Sequence, residues 1–209
     1  MEAIPEYNRD VVVRCLTRLY ETLVQMGYME DSNIQRAPPG GWDDTKIDAK
    51  SFRIMGRNET VIDLLRHLPY LEDVYEVMPD TKPIKYLDQR WDDSLTDKMA
   101  ESKSLVNLLL MPFETPPEPG MICLTDGRDG DWLLIDTQNG RMYPYGGGAG
   151  WNMDVVESGQ REPAWLWYNP VAIEKYFDEL HRKFLSLELI PMPLVIHEEK
   201  RGFPDEAEH

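Results

Sequence analysis

Between Met121 and Tyr145 the chain reads MICLTDGRDGDWLLIDTQNGRMYPY, and no other stretch limits its fold as strongly. Two turn signals cut this text into short extended runs. Asn139-Gly140 is the stronger signal, because a type I′ hairpin turn needs positive φ at both central residues. The earlier turn, Asp126-Gly127-Arg128-Asp129-Gly130, is also rich in residues that tolerate such angles. Between the turns, Trp132 and Leu134 point to one face and Leu133 and Ile135 to the other. A strand that is apolar on both faces belongs in mid-sheet. The sequence therefore predicts an antiparallel meander with residues 131–137 at its centre and a type I′ turn after it.

Helical signals flank this meander. Val12, Cys15, Leu16, Leu19, Tyr20, Leu23 and Met26 recur at three- and four-residue spacing and predict a helix from about Arg9 to Met26. Asn8 can cap its start, and Gly27 supplies a left-handed stop. Residues 31–43 form a loop that holds Pro38, Pro39, Gly40 and Gly41. A second helix is expected over 58–68, capped by Asn58, ended by Pro69 and buried along Leu64, Leu65 and Leu68. Residues 74–87 read as extended chain whose prolines suit edge strands or turns. Residues 104–111 fit a buried strand or a short helix, 113–120 a proline-rich connection, and 164–168 a strand or apolar lead-in. Gly146 to Gly150 forms a glycine loop leading to Trp151. The last helix is expected to open at Asn169-Pro170, with Ile173, Tyr176, Phe177, Leu180 and Phe184 as its core face and Leu187 extending it. The fold class is α+β: one domain over 1–196, a central antiparallel meander sheet with N- and C-terminal helices packed against it, and a charged flexible tail over 197–209.

Composition narrows the partners. At 209 residues and 42% hydrophobic content the chain suffices for one well-buried core. A net charge of −16 disfavours nucleic acid and anionic membrane surfaces and would steer a basic protein partner towards the chain. No apolar run reaches the roughly 18 residues of a transmembrane helix, and the polar start is no signal peptide, so a cytoplasmic protein is expected. Cys15 and Cys123 lie in apolar patterns and are expected as buried free thiols. Asn58-Glu59-Thr60 matches a glycosylation sequon, but a helix cap explains Asn58 better.

Few residues carry a chemical signature. Trp42-Asp43-Asp44-Thr45-Lys46-Ile47-Asp48 and Trp91-Asp92-Asp93-Ser94-Leu95-Thr96-Asp97 each place carboxylates behind a tryptophan. Such clusters could hold a hard cation, yet Asp, Ser and Thr also start helices and turns while tryptophan anchors a loop on the core. The turn at 126–131 lacks the ligand alternation and the twelfth-position glutamate of a calcium loop. No Gly-x-Ser-x-Gly elbow, His-x-x-x-His, Cys-x-x-Cys or P-loop spacing occurs. The expectation is no catalytic, cofactor or metal residues.

Asp126-Gly-Arg-Asp-Gly-Asp131-Trp-Leu-Leu-Ile-Asp136-Thr, followed after a turn by Gly140-Arg-Met-Tyr143, resembles the central hairpin of the SUKH superfamily, which includes fungal cell-wall-assembly regulators and bacterial toxin-immunity proteins. Pro170-Val-Ala-Ile-Glu-Lys-Tyr-Phe-Asp-Glu-Leu180 looks like that family's closing helix, and Leu68-Pro69 is similar to the Leu-Pro near its early helix. The Pro38-Pro-Gly-Gly41 loop departs from the pattern. The resemblance implies an α+β fold without a cofactor that serves as a protein-interaction module. Its candidate surface is Asp126, Arg128, Asp129, Asp131 and Trp151. The alternative is a small carboxylate-dependent enzyme or carbohydrate-binding protein, with Trp42, Asp43, Asp44, Trp91, Asp92 and Asp93 lining one acidic, aromatic pocket.

Overall fold

The N-terminal helix α1 (Arg9–Gln25) forms where the apolar stripe places it, with Val12, Cys15, Leu16, Leu19, Tyr20 and Leu23 buried. The Asn8 carboxamide accepts the amides of Asp10 at 2.9 Å and Val11 at 3.3 Å, satisfying donors that the helix leaves open. At the other end Tyr28 N donates to Leu23 O at 3.0 Å and Gly27 N to Val24 O at 2.9 Å. With Gly27 at φ +74°, this is a Schellman stop.

The computed structural model describes residues 6–72, 74–89, 94, 97, 98, 101, 118–127, 130–146 and 169–191. The expectations placed on 104–111, 113–117, 147–150, 164–168 and the tail 197–209 lie outside the described residues. A short helix absent from the sequence reading, α2 (Ala49–Ile54), follows the loop. Asp48 caps it, accepting Ser51 N at 3.2 Å and Ser51 Oγ at 2.9 Å. α2 also ends in a Schellman stop, with Arg57 N on Phe52 O and Gly56 N on Arg53 O. The next helix, α3 (Glu59–His67), starts at the expected Asn58 cap and buries Leu64, Leu65 and, past its end, Leu68.

The sheet contains β2 (Met121–Cys123), β4 (Asp131–Asp136), β5 (Arg141–Gly146) and β6 (Val171–Ala172) in the order β2-β4-β5-β6, all antiparallel. β1 (Lys82–Pro83) pairs separately with β3 (Thr125–Asp126). β4 is buried at every position and lies between two neighbours, as its two apolar faces require. The turn after it corrects the sequence reading. Asp136 pairs with Arg141, so residues 137–140 form the loop, and Gly140 (φ +63°) has positive φ while Asn139 does not. A type I′ turn is thereby ruled out. The Asp136 carboxylate holds the loop instead, accepting Gln138 N at 2.9 Å, Asn139 N at 3.1 Å and Asn139 Nδ2 at 2.7 Å. These bonds favour a longer loop over the tighter turn.

The closing helix brings two further corrections. Val171 and Ala172 pair with Met142 and Arg141 as β6, so α4 (Ile173–Leu185) begins after Ala172 and not at Asn169-Pro170. Backbone pairing with the sheet holds these residues extended, out of the helix. The expected core face of Ile173, Tyr176, Phe177, Leu180 and Phe184 is buried. Leu187 does not extend it. The helix stops at Leu185, and Leu187 adopts φ +59° with 63% of its surface exposed.

α4 packs against β5 and β6, and α1 packs along α4. Arg14 pairs with Glu174 at 2.7 Å, Arg18 with Asp178, and Thr22 Oγ1 meets His181 Nδ1 at 2.9 Å. Partner numbers rise together, so the two helices run parallel. Burial first and Arg18 second hold the His181 imidazole below its ordinary value of 6.5, with Asp178 opposing. As pH falls through 6.5 the unfolded chain takes up a proton that the folded chain resists. Stability should therefore fall from pH 7.5 until the lower folded value is passed. Urea midpoints at several pH values should show a smaller drop for His181→Gln than for the wild type; equal drops would refute this coupling.

Candidate interaction surface

The acidic turn is built around close backbone approach. Thr125 Oγ1 donates to Asp131 O at 2.8 Å and accepts Leu133 N at 2.9 Å, while Asp131 N donates to Thr81 Oγ1 at 2.9 Å. Thr81 Oγ1 donates in turn to Pro79 O at 2.9 Å. β1, β3 and β4 are thus fastened at one junction. Asp131 sits inside it at 3% exposure, which corrects its placement on a partner-facing surface: strand β4 turns it inward. Asp126 is exposed on β3, across from Lys82. Arg128, Asp129 and Trp151 lie outside the described residues.

Asp126, Lys82, Ile84, Lys85 and Glu72 border an open cleft of about 460 Å³. Its charges are largely matched within the chain. Lys85 Nζ lies 2.7 Å from Glu72, and Gln35 Nε2 donates to the same carboxylate at 2.8 Å. The hydrogen bond from Lys85 is the main reason the Glu72 carboxyl lies below its ordinary value. This cleft presents polar texture without an excess of either sign.

The first tryptophan phrase performs local structural work. Trp42 packs on the core and its indole N–H donates to Leu68 O at 3.1 Å. Asp43 Oδ1 accepts Thr45 N at 2.8 Å and Thr45 Oγ1 at 2.5 Å, and the hydroxyl bond chiefly keeps its carboxyl low. Asp44 pairs with Arg66, and Asp48 caps α2. Trp91, Asp92 and Asp93 lie outside the described residues; Ser94 and Asp97 of the second phrase are helical and exposed.

The two thiols are free and buried, as their patterns predicted. Cys123 donates to Thr125 O at 3.1 Å, and burial pushes its pKa up to about 12, away from the thiolate a nucleophile needs. Burial raises Cys15 as well. His67 Nδ1 lies 2.7 Å from Asp63 O. Among the described residues no group of three His, Cys, Asp or Glu side chains is placed to hold a metal ion.

A second concavity, of about 210 Å³, lies between the turn at 76–80, Tyr28 and the chain leaving α4. Val77, Met78, Phe184, Leu189, Ile190 and Pro191 make it apolar. Tyr28 stacks edge-on against Tyr75 at 5.9 Å and its hydroxyl accepts Glu76 N at 3.0 Å, which fixes one side. Where the chain leaves α4, Leu185 (65%), Leu187 and Ile190 (62%) are exposed within six residues, and of these Ile190 lines the concavity. Sequence reasoning missed this surface by carrying the helical period through to Leu187. The signal was present in Leu185-Ser-Leu-Glu-Leu189, where the apolar spacing changes from helical to alternating. Compared with protein-family models, curated proteins and solved structures, the chain shows no match.

Proposed function

We propose that the chain is a non-enzymatic, intracellular protein-interaction module of SUKH-like type, which meets its partner through the apolar lip at the end of α4. The observation that carries this reading is the lip itself. A soluble surface gains nothing from three large aliphatic side chains exposed within six residues, and exposed apolar surface of this kind marks protein contact sites. The net charge of −16 favours a basic partner over nucleic acid, and Asp126 on β3 adds an exposed carboxylate outside the lip.

The described half of the alternative acidic, aromatic pocket is committed elsewhere. Trp42 is tied to the core, and Asp43, Asp44 and Asp48 each engage a neighbour. These bonds serve capping and anchoring, and they favour the interaction module over a carboxylate enzyme.

Affinity capture from the source lysate tests the module. Wild-type bait should retain a specific protein that Leu187→Asp bait loses and that Asp126→Lys bait keeps in reduced amount. Recovery of no protein by wild-type bait across a range of salt would refute the reading.

A further inference from the structure

We infer that the groove beside α4 seats a basic amphipathic segment of a partner protein, its apolar side chain on Tyr28, Leu189 and Ile190 and its lysines or arginines against Glu76 and Asp80. The inference rests on the interaction-module reading and adds the chemistry of the partner. Size comes first. About 210 Å³ is below the roughly 300–1,000 Å³ of pockets that enclose small-molecule ligands, and it suits an inserted side chain.

Charge selects the kind of segment. Glu76 and Asp80 line the groove, and no lysine or arginine does. Several carboxylates outside the groove are engaged by cations: Glu72 by Lys85, Asp88 by Lys46, Asp63 by Arg9 and Glu188 by Arg182. Glu76 and Asp80 have no such ion pair among the described residues. Two open carboxylates on an apolar cleft complement an apolar anchor flanked by cations. A second copy of this chain is a poor occupant, since each carries a net charge of −16.

The helix stops give an independent argument. α1, α2 and α4 all end in the same paired hydrogen bonds. The left-handed position is Gly27 in α1 and Gly56 in α2, the residue that adopts it without strain. In α4 it is Leu187, at φ +59°. A leucine there strains the backbone and also exposes an apolar side chain. Folding gains from neither, whereas a partner seated on the lip would gain from both the side chain and its fixed position.

The test measures fluorescence anisotropy of the full chain with a labelled synthetic peptide carrying leucines at helical spacing and lysines elsewhere, and with a counterpart in which glutamates replace the lysines. The basic peptide should bind and the acidic one should not. Leu187→Gly should weaken binding roughly tenfold, about the effect of one lost apolar anchor, while its urea midpoint stays level or rises. Glu76→Gln with Asp80→Asn should weaken binding and reduce its salt dependence. Removing two charges that do not line the groove, by Glu21→Gln with Asp31→Asn, should leave it unchanged.

Equal loss in that control would overturn the site, as would undiminished binding by Leu187→Gly. Self-association by sedimentation that Leu187→Gly abolishes would assign the groove to a second copy instead. If the peptide fails to bind while lysate capture still depends on Leu187, the partner chemistry is wrong and the module stands. If capture fails too, both readings fall.

Discussion

Gly127→Ala should lower the unfolding free energy by at least about 3 kcal/mol, near the upper end for overpacking. An added Cβ would stand 2.2 Å from the carbonyl carbon of Asp131, 2.3 Å from its oxygen and 2.7 Å from its nitrogen. All three are backbone atoms, so no side chain can swing aside. Asp131 cannot easily retreat. Its carbonyl accepts Thr125 Oγ1, its amide donates to Thr81 Oγ1, and it sits opposite Gly146 in β5. Gly146 is itself crowded, since a Cβ there would lie 2.2 Å from Gly130 O. Relief therefore requires moving the start of the central strand. Gly56→Ala is the proper comparison, because nothing lies within 4 Å of a Cβ there and only the left-handed φ of +77° opposes it. That strain costs about 1–2 kcal/mol. Urea unfolding followed by circular dichroism should separate the two variants clearly, and equal midpoint shifts would sink the steric account.

Arg57→Met should cost about 3 kcal/mol for a different reason. Arg57 follows the α2 stop and turns inward until 4% of its surface remains exposed. Its Nη1 donates to Glu118 O and to Met121 O, each at 2.7 Å, and its Nε lies 3.4 Å from Met55 O. Burial pushes the guanidinium down to about 10, still a cation at neutral pH. It thereby joins the α2–α3 corner to the chain entering β2, an attachment reinforced by Asn58 N on Pro119 O at 3.0 Å. Methionine fills similar space but leaves buried carbonyls without their donor, at about 1–3 kcal/mol each, partly offset because no cation is then desolvated. Arg57→Lys restores charge without the guanidinium's reach and fork, and should recover less than half of the loss. A methionine variant within about 0.5 kcal/mol of wild type in urea melts would show that this buried cation contributes little.

Much of the architecture could be read from short-range pattern. The α1 stripe, the Asn8 and Asn58 caps and the Gly27 stop depend on residues within one or two helical turns. The two-faced apolar run of β4 required burial on both sides whatever lay around it. α2 escaped notice because six residues are too few for a helical period, and its Asp48 cap was absorbed into the reading of an acidic phrase.

Of the candidate surface, the sequence marked Asp126, which is exposed though it lies in strand β3 and not in the turn, and misplaced Asp131, whose orientation depends on where β4 begins. It also assigned Leu187 to the core. A period shows which face a residue would occupy if the helix continued, and α4 ends before Leu187.

By itself, then, the sequence determined the helix faces, the caps, the mid-sheet strand and the burial of both cysteines, because each follows from spacing and side-chain type within a few neighbouring residues. Tertiary structure decided the Asp136-held loop, the pairing of Val171 and Ala172 into the sheet, and the open groove between the turn at 76–80 and the chain leaving α4. Those outcomes turn on which distant backbone offers a hydrogen bond and which distant side chain covers an apolar surface, and no local period encodes either.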